Sequence, residues 1–215
     1  MAELGVPPYE TAVISGIGCS SRLPYYVNTY AMQTIHGRAA SVATGVKVVN
    51  PKLCVWQVSG DGDGLAIGGN HFIHACRRNI DITAIVMNNN IYGMTGGQAS
   101  PTTPVGAFAT TTPYGAVDPT FDICKLAEGA GASYVARTTI ANPKQAETFI
   151  ANGIRKKGFS VIEIVTHCHT QFGRKNNRRL PIENYKYFKE NSIPLALAKD
   201  KSPEELAGKI VCGEF

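Results

Sequence analysis

No stretch of this 215-residue chain approaches the roughly 18 consecutive apolar residues of a membrane-spanning helix, so no membrane anchor is expected. The first ten residues, Met1 to Glu10, carry no lysine or arginine and hold two prolines. They do not read as a secretory leader, and the cytoplasm is the expected location. Six cysteines stand far apart, at 19, 54, 76, 124, 168 and 212, without the density or spacing of a secreted disulfide scaffold. No Gly-Lys-Ser or Gly-Lys-Thr occurs, which excludes a Walker nucleotide loop. Internal repeats are absent too. The net charge is only +5, and its densest cluster is Arg174, Lys175, Arg178 and Arg179. Without interleaved aromatics or a binding motif that cluster reads as a solvated face, so no nucleic-acid role is expected.

What is there is a globular composition, 44% hydrophobic and 17% charged, with 22 glycines gathered largely in turns. The most telling turns are Gly60-Asp61-Gly62-Asp63 and Asn88-Asn89-Asn90, with 25 residues between Gly62 and Asn88. The first follows the apolar run 53–59 and the second the run 82–87. Both runs read as buried parallel strands, with a crossover helix over Ala66–Arg78 between them. Two oxygen-rich turns are thereby placed at the carboxyl ends of neighbouring strands, where open α/β sheets bind ligands. Asp61 offers a carboxylate and Asn89 an amide oxygen, joined in this reading by the backbone carbonyl of Ile91. Such hard oxygens suit Mg²⁺. The glycines allow close approach of a phosphate, and the simplest ligand is a diphosphate carried on Mg²⁺. Two rivals fail. Leu65 stands where a dinucleotide fingerprint needs its third glycine. A calcium loop starting at Asp61 would need a glutamate where Phe72 stands. A purely structural turn stays open as the bland reading, because glycine-rich turns after strands are common.

The rest of the chain alternates strand and helix. Strands are expected at Thr11–Ser15, Leu53–Ser59, Ile82–Asn88, Ser133–Arg137 and Val161–Thr166. Helices are expected over Gly37–Val49, Ala66–Arg78, Phe121–Ala130 and from Asn142-Pro143 to Lys157; the Asn-Pro pair supplies an N-cap and a first helical residue. Tyr92 to Pro119 is a long Gly-, Thr- and Pro-rich loop of the kind that tends to be functional. The fold class is α/β, a mostly parallel sheet with helices on both faces. Residues 1–172 form the ligand-binding domain and 173–215 a polar arm with a short helix near Tyr185–Asn191.

Other candidates are weaker by pattern alone. Cys54, Cys76 and Cys124 lie in apolar elements and read as core, whereas Cys19 and Cys168 each follow a strand. His71 and His74, and His167 and His169, lack a second ligand pair for zinc. His36 and Arg38 precede a helix at the ligand edge, where the histidine could equally cap the helix or bond a carbonyl. Arg22 suits a substrate carboxylate.

Taken with Gly16-Ile17-Gly18-Cys19-Ser20-Ser21-Arg22, Thr34-Ile35-His36-Gly37-Arg38 and Ile91-Tyr92-Gly93-Met94-Thr95-Gly96-Gly97-Gln98-Ala99-Ser100-Pro101-Thr102, the two turns resemble those of one family. It is the β subunit of 2-oxoacid:ferredoxin oxidoreductases, nearest the 2-oxoglutarate type. The similarity runs from about Val13 to the C-terminus and is strongest from Gly16 to Pro104. The resemblance implies thiamine diphosphate held with Mg²⁺ by Asp61, Asn89 and Ile91. Gly18, Cys19, Ser20, His36, Gly60, Gly62, Asp63, Tyr92, Gly93, Met94 and Thr95 would contact the cofactor, with His36 and Arg38 as catalytic candidates and Arg22 on the substrate. It implies oxidative decarboxylation of a 2-oxoacid, with the acyl group passing to coenzyme A and electrons passing singly to a [4Fe–4S] cluster and ferredoxin. Cys19 and Cys168, the latter followed by Phe172-Gly173-Arg174-Lys175-Asn176, would supply two of the four cluster thiolates.

The chain departs from the family in one respect: no Cys-x-x-Cys pair occurs to supply the other two thiolates. A truncated segment, a separately encoded one and a lost cluster are all open. The resemblance further implies an α subunit that contributes the glutamate activating the cofactor, and αβ units pairing to (αβ)₂. Cys19–Arg22, His36–Arg38 and Tyr92–Pro104 are expected to face that partner. Pyruvate and branched-chain versions of the enzyme remain open, as does a cluster-less, non-catalytic remnant.

Overall fold

The computed structural model describes residues 4–215. Ten strands and six α-helices follow one another along the chain. They are β1 (Thr11–Ser15), β2 (Tyr30–Gln33), α1 (Ala39–Val49), β3 (Cys54–Gly60), α2 (Gly69–Arg78), β4 (Thr83–Asn88), β5 (Ile91–Tyr92), β6 (Gln98–Ala99), α3 (Ile123–Gly129), β7 (Tyr134–Thr139), α4 (Pro143–Arg155), β8 (Ser160–Val165), α5 (Pro181–Asn191), β9 (Ser192–Pro194), α6 (Leu195–Ala198) and β10 (Ile210–Glu214). Eight strands form one sheet in the order β2-β1-β3-β4-β8-β7-β10-β9, and β5 and β6 form a separate hairpin. All pairings in the large sheet are parallel except β10 with β7.

The path explains the layers. The chain steps in one direction from β1 through β3 and β4 to β7, and then turns back to place β8 between β4 and β7. Parallel crossovers are right-handed, so a reversal of direction moves the crossover helix to the other face. Accordingly α1, α2 and α3 pack on one face through Ala39, Ala40, Ala43, Phe72, Ala75, Cys76, Ile123, Cys124 and Ala127. Helix α4 packs on the other through Phe149 and its neighbours, against Val58, Ile85, Ala136 and Ile162. With both faces covered, β8 is buried at all six positions, which its near-continuous apolar sequence requires. Phe72 and Phe159 meet edge to face, with ring centroids 6.2 Å apart, at the centre of the larger core.

Local signals set the helix ends. Asn142 caps α4, its side chain accepting from the Gln145 N–H, and Pro143 occupies the first turn. Asp122 caps α3 by accepting from Cys124 and Lys125. Asn79 closes α2 in the left-handed conformation, at φ 51°.

The alternation of sequence elements is thus found as expected, and the tail holds more than expected. Besides α5, the segment beyond Gly173 carries β10, which joins β7 in the sheet, and β9 beside it. Edge strand β2 was not anticipated, because its residues Tyr30, Ala31 and Met32 are exposed and show no buried-face alternation. No helix among the described residues is long and apolar enough to cross a membrane.

Candidate cofactor site

The register of the sheet brings the chemistry together. Ser15 pairs with Val58, Gly60 with Met87 and Asn88 with Val165. The carboxyl ends of β1, β3, β4 and β8 therefore lie in one row, and the turns that leave them enclose a cavity of about 220 Å³. Its wall includes Gly18, Cys19, Ser20, His36, Gly60, Asp61, Gly62, Asp63, Asn89, Ile91, Tyr92, Gly93, Met94 and Thr95. Ile17, Met87, Thr166 and His167 complete it, and sequence reasoning had assigned none of these four to the ligand. The first three carry no charged or metal-binding group that would announce them. Arg38 does not line the cavity: its guanidinium reaches the carbonyls of His36 and Ile67, both at 3.4 Å, and so braces the turn before α1. Arg22 is exposed on the short helix Ser20–Tyr25, outside the wall.

Two buried carboxylates dominate the electrostatics. Asp61 is 1% exposed. Its Oδ2 accepts from Ser100 Oγ at 2.5 Å and Thr102 Oγ1 at 2.6 Å, while Oδ1 meets only the Asn89 N–H, at 3.4 Å. Asp63 Oδ1 accepts from the N–H groups of Gly37, at 2.8 Å, and Ile17, at 3.1 Å. His36 Nδ1 lies 2.7 Å from the same oxygen, but off the line of a hydrogen bond, so that Nδ1 and Asp63 Oδ2 are both buried without a partner. Burial pushes both carboxyls above the usual carboxylate range; hydroxyls at Asp61 and backbone amides at Asp63 oppose that shift. Burial and these two carboxylates raise the Tyr92 phenol in turn. Buried negative potential with a free acceptor edge is what a cation would compensate.

Glycine makes the geometry possible. A Cβ on Gly62 would stand 2.6 Å from the Tyr92 ring, which lies against that turn and donates to the Gly62 carbonyl at 2.8 Å. A Cβ on Gly16 would stand 2.1 Å from Asp63 Oδ2. Gly62–Ile67 is a π-helical turn, a form often found at functional sites.

The donor set suits Mg²⁺ with a diphosphate. Asp61 Oδ1, the Asn89 amide oxygen and the Ile91 carbonyl are hard oxygens on two adjoining turns. Asn89 Oδ1 receives only a 3.3 Å contact from the Ile91 N–H. Among the described residues no three His, Cys, Asp or Glu side chains gather as a metal site.

Cys19, which lines the cavity, and Cys168, which does not, meet beside Gly93. A Cβ on Gly93 would lie 3.2 Å from the Cys168 sulfur and 3.6 Å from that of Cys19. The two sulfurs are therefore within about 7 Å of each other, the separation of thiolates on one cubane cluster. Burial and the neighbouring Cys168 raise the Cys19 thiol. No further cysteine among the described residues joins the pair.

The fold and this site define a thiamine diphosphate-binding domain. Residues 16–164 match the C-terminal TPP-binding domain of thiamine pyrophosphate enzymes. The chain is 57% identical to the 2-oxoglutarate synthase subunit KorB of Methanocaldococcus jannaschii, over 99% of this chain and 79% of that one. It is 54% identical to the KorB subunit of Methanothermobacter marburgensis, over 100% and 75%. Among solved structures, it is similar to a 2-oxoglutarate:ferredoxin oxidoreductase from Magnetococcus marinus with 2-oxoglutarate, coenzyme A and succinyl-CoA bound. There the TM-score is 0.86 at 37% identity, covering 100% of this chain and 74% of that one. The chain belongs to the β-subunit family of 2-oxoacid:ferredoxin oxidoreductases, in its 2-oxoglutarate synthase branch.

Proposed function

We propose that this β subunit holds thiamine diphosphate through Mg²⁺ bound by Asp61, Asn89 and the Ile91 carbonyl, and that its substrate is 2-oxoglutarate, converted to its coenzyme A thioester. The observation that carries this reading is that Asp61, Asn89 and Ile91 share the wall of one glycine-lined cavity at the aligned ends of β3 and β4. Bound thiamine diphosphate would supply the nucleophilic ring carbon and the electron sink for decarboxylation. The chain's own residues do the rest. The Gly60–Asp63 turn gives the diphosphate room. Ile17, Met87 and Met94 keep water from the reacting end. His36, whose Nδ1 side faces Asp63, keeps Nε2 to exchange a proton with a bound group. Arg22, at the rim, pairs with a substrate carboxylate.

The remaining assignments concern electrons and partners. Cys19 and Cys168 ligate a [4Fe–4S] cluster whose other thiolates lie outside the described residues, and electrons leave to ferredoxin. As a β subunit the chain works with an α subunit, and its surface supports a large cover near the cavity. Tyr25, Tyr26, Tyr30, Met32 and Ile35 are all exposed between Ser20 and His36, a concentration unusual for a free face. We assign this face and the Tyr92–Pro104 loop to the α subunit, with two αβ units pairing.

The test is a reconstituted αβ complex assayed for coenzyme A-dependent reduction of a viologen dye. The reading expects turnover with 2-oxoglutarate well above that with pyruvate or a branched-chain 2-oxoacid, and none from the isolated chain. Preference for pyruvate overturns the substrate, and robust turnover by the isolated chain overturns the shared site. Iron and acid-labile sulfide in the native complex separate an active subunit from a cluster-less remnant.

A further inference from the structure

Three hydroxyls on the return limb of the loop after β5 hold the backs of the proposed metal ligands. Ser100 Oγ and Thr102 Oγ1 both donate to Asp61 Oδ2, at 2.5 and 2.6 Å. Thr102 Oγ1 also stands 2.9 Å from Asn88 Oδ1. Thr103 Oγ1 donates to the Asn90 carbonyl at 2.7 Å and accepts from the Ser100 N–H at 2.8 Å. Exposure of the three side chains is 9%, 1% and 3%, and none of them lines the cofactor cavity. They cannot touch the diphosphate, so the reaction does not account for them.

Their arrangement has a direction. The terminal torsion of an aspartate is broad, so a carboxylate held only by burial could present either oxygen or both. Two donors on Oδ2 fix the carboxylate plane and leave Oδ1 for a cation. Asn90 sits in the left-handed conformation, at φ 62°, one residue before the Ile91 carbonyl and one after Asn89. Thr103 pins the carbonyl of that strained residue and so fixes the peptide between two ligands. Asn88 is held from behind as well, donating to the buried Glu163 at 2.8 Å, which in turn accepts from Arg137 Nε at 2.6 Å.

We propose that Ser100, Thr102 and Thr103 are positioning residues that pre-set the Mg²⁺ ligands of this chain, acting through Asp61 and the Asn88–Ile91 turn. The inference rests on the Mg²⁺–diphosphate reading given above. Residues that orient metal ligands typically change metal affinity about 10–100-fold when replaced. The alternative is that the hydroxyls only satisfy a buried carboxylate, which would affect stability and not the metal.

The experiment uses the full αβ complex stripped of metal. Retention of thiamine diphosphate is measured by equilibrium dialysis at fixed cofactor while Mg²⁺ is varied, and the melting temperature of the metal-free complex is recorded beside it. Thr102→Val keeps the shape and removes the hydroxyl; its Mg²⁺ midpoint should rise by about 10–100-fold. Thr102→Ser restores the hydroxyl and should restore the midpoint. A wild-type midpoint in Thr102→Val, with or without a lower melting temperature, overturns the proposal, as does a Thr102→Ser midpoint as high as that of Thr102→Val. Should Thr102→Val not assemble, Ser100→Ala is read by the same two outcomes. If the unmodified complex retains thiamine diphosphate without Mg²⁺, the underlying metal assignment fails and not the clamp.

Discussion

The two groups of side chains beside the cofactor cavity, the buried carboxylates around Asp61 and the Cys19–Cys168 pair, are built in opposite ways. Around Asp61 both carboxylates are buried and held from within the chain, by hydroxyls on Asp61 and backbone amides on Asp63, and the half-buried ring of Tyr92 lies against Gly62. At the Cys19–Cys168 pair the side chains are exposed or half-buried, Cys168 has only a long 3.5 Å contact with Thr170, and no third metal-binding side chain among the described residues joins them. The difference teaches which functions this chain can perform alone. A hard-metal site needs few protein ligands, because phosphate and water complete it. A cluster needs four thiolates, and two cannot hold it. The self-contained carboxylate group is also where folding and function share atoms, so changes there should be felt in both.

Changes that break the self-contained group should have the largest effect. Asp61→Ala removes the only carboxylate of the proposed metal set. Mg²⁺-dependent retention of thiamine diphosphate should fall by more than the roughly 10–100-fold of an outer-shell change, measured by dialysis on the αβ complex. Unchanged retention would remove Asp61 from the metal site.

Gly62→Ala comes next. The new methyl would meet Tyr92 ring carbons 2.6 to 2.8 Å away, and the ring, tied by its hydroxyl to the Gly62 carbonyl, must shift to admit it. Overpacking of this kind costs about 1–3 kcal/mol, read as a lower melting temperature even without cofactor. An unaltered melting temperature would show that the ring is free to move.

A smaller effect sharpens the comparison from outside the cavity. Burial pushes the carboxyl of Asp122 upward, but the charge and hydrogen bond of Arg137 outweigh it, and the net shift is downward from 3.8. Asp81, beside Lys47 and Lys157, is lowered in the same way. A carboxylate depressed on folding stabilises the fold above its unfolded pKa, and that contribution is lost as pH falls through the folded value. Asp61 and Asp63 are shifted the other way, so by the same linkage they oppose this acid limb and do not add to it. Asp122→Asn should therefore lower stability at neutral pH and flatten its loss below about pH 4, followed by thermal melting across pH. An acid limb as steep as the original would contradict the ion-pair account.

The smallest effect on stability belongs to the cysteine pair. Cys19 is exposed, and Cys19→Ser should change stability by less than about 0.5 kcal/mol while lowering the iron and sulfide carried by the complex. Full iron content in that variant would remove Cys19 from the cluster.

Much of this was legible in the residues, for definable reasons. Period, apolar runs and caps such as Asn142-Pro143 report local energetics, so β3, β4, β8 and the helices between them were readable. The tail was misjudged as a polar arm because β10 gains its stability from pairing with β7, a contact made across more than seventy residues. Arg38 was a catalytic candidate through the family resemblance alone, and that its guanidinium reaches the carbonyls of His36 and Ile67 could not be read from its neighbours in sequence. His167 reached the cavity wall unannounced, since nothing local distinguishes a histidine after a strand from a surface one; burial and the nearby His169 lower its pKa.

By itself the sequence determined the strand–helix alternation, the glycines that open the turns, and the residue types that can meet a diphosphate and a hard metal. These depend on backbone freedom, period and donor chemistry, which are properties of short segments. The tertiary structure alone decided that four strand ends fall in one row, that Cys19 and Cys168 meet beside Gly93, and that Ser100, Thr102 and Thr103 close on the back of the Asp61 site. Each of these contacts joins distant segments through sheet register and the direction of crossovers. Their energies exist only once the layers have packed.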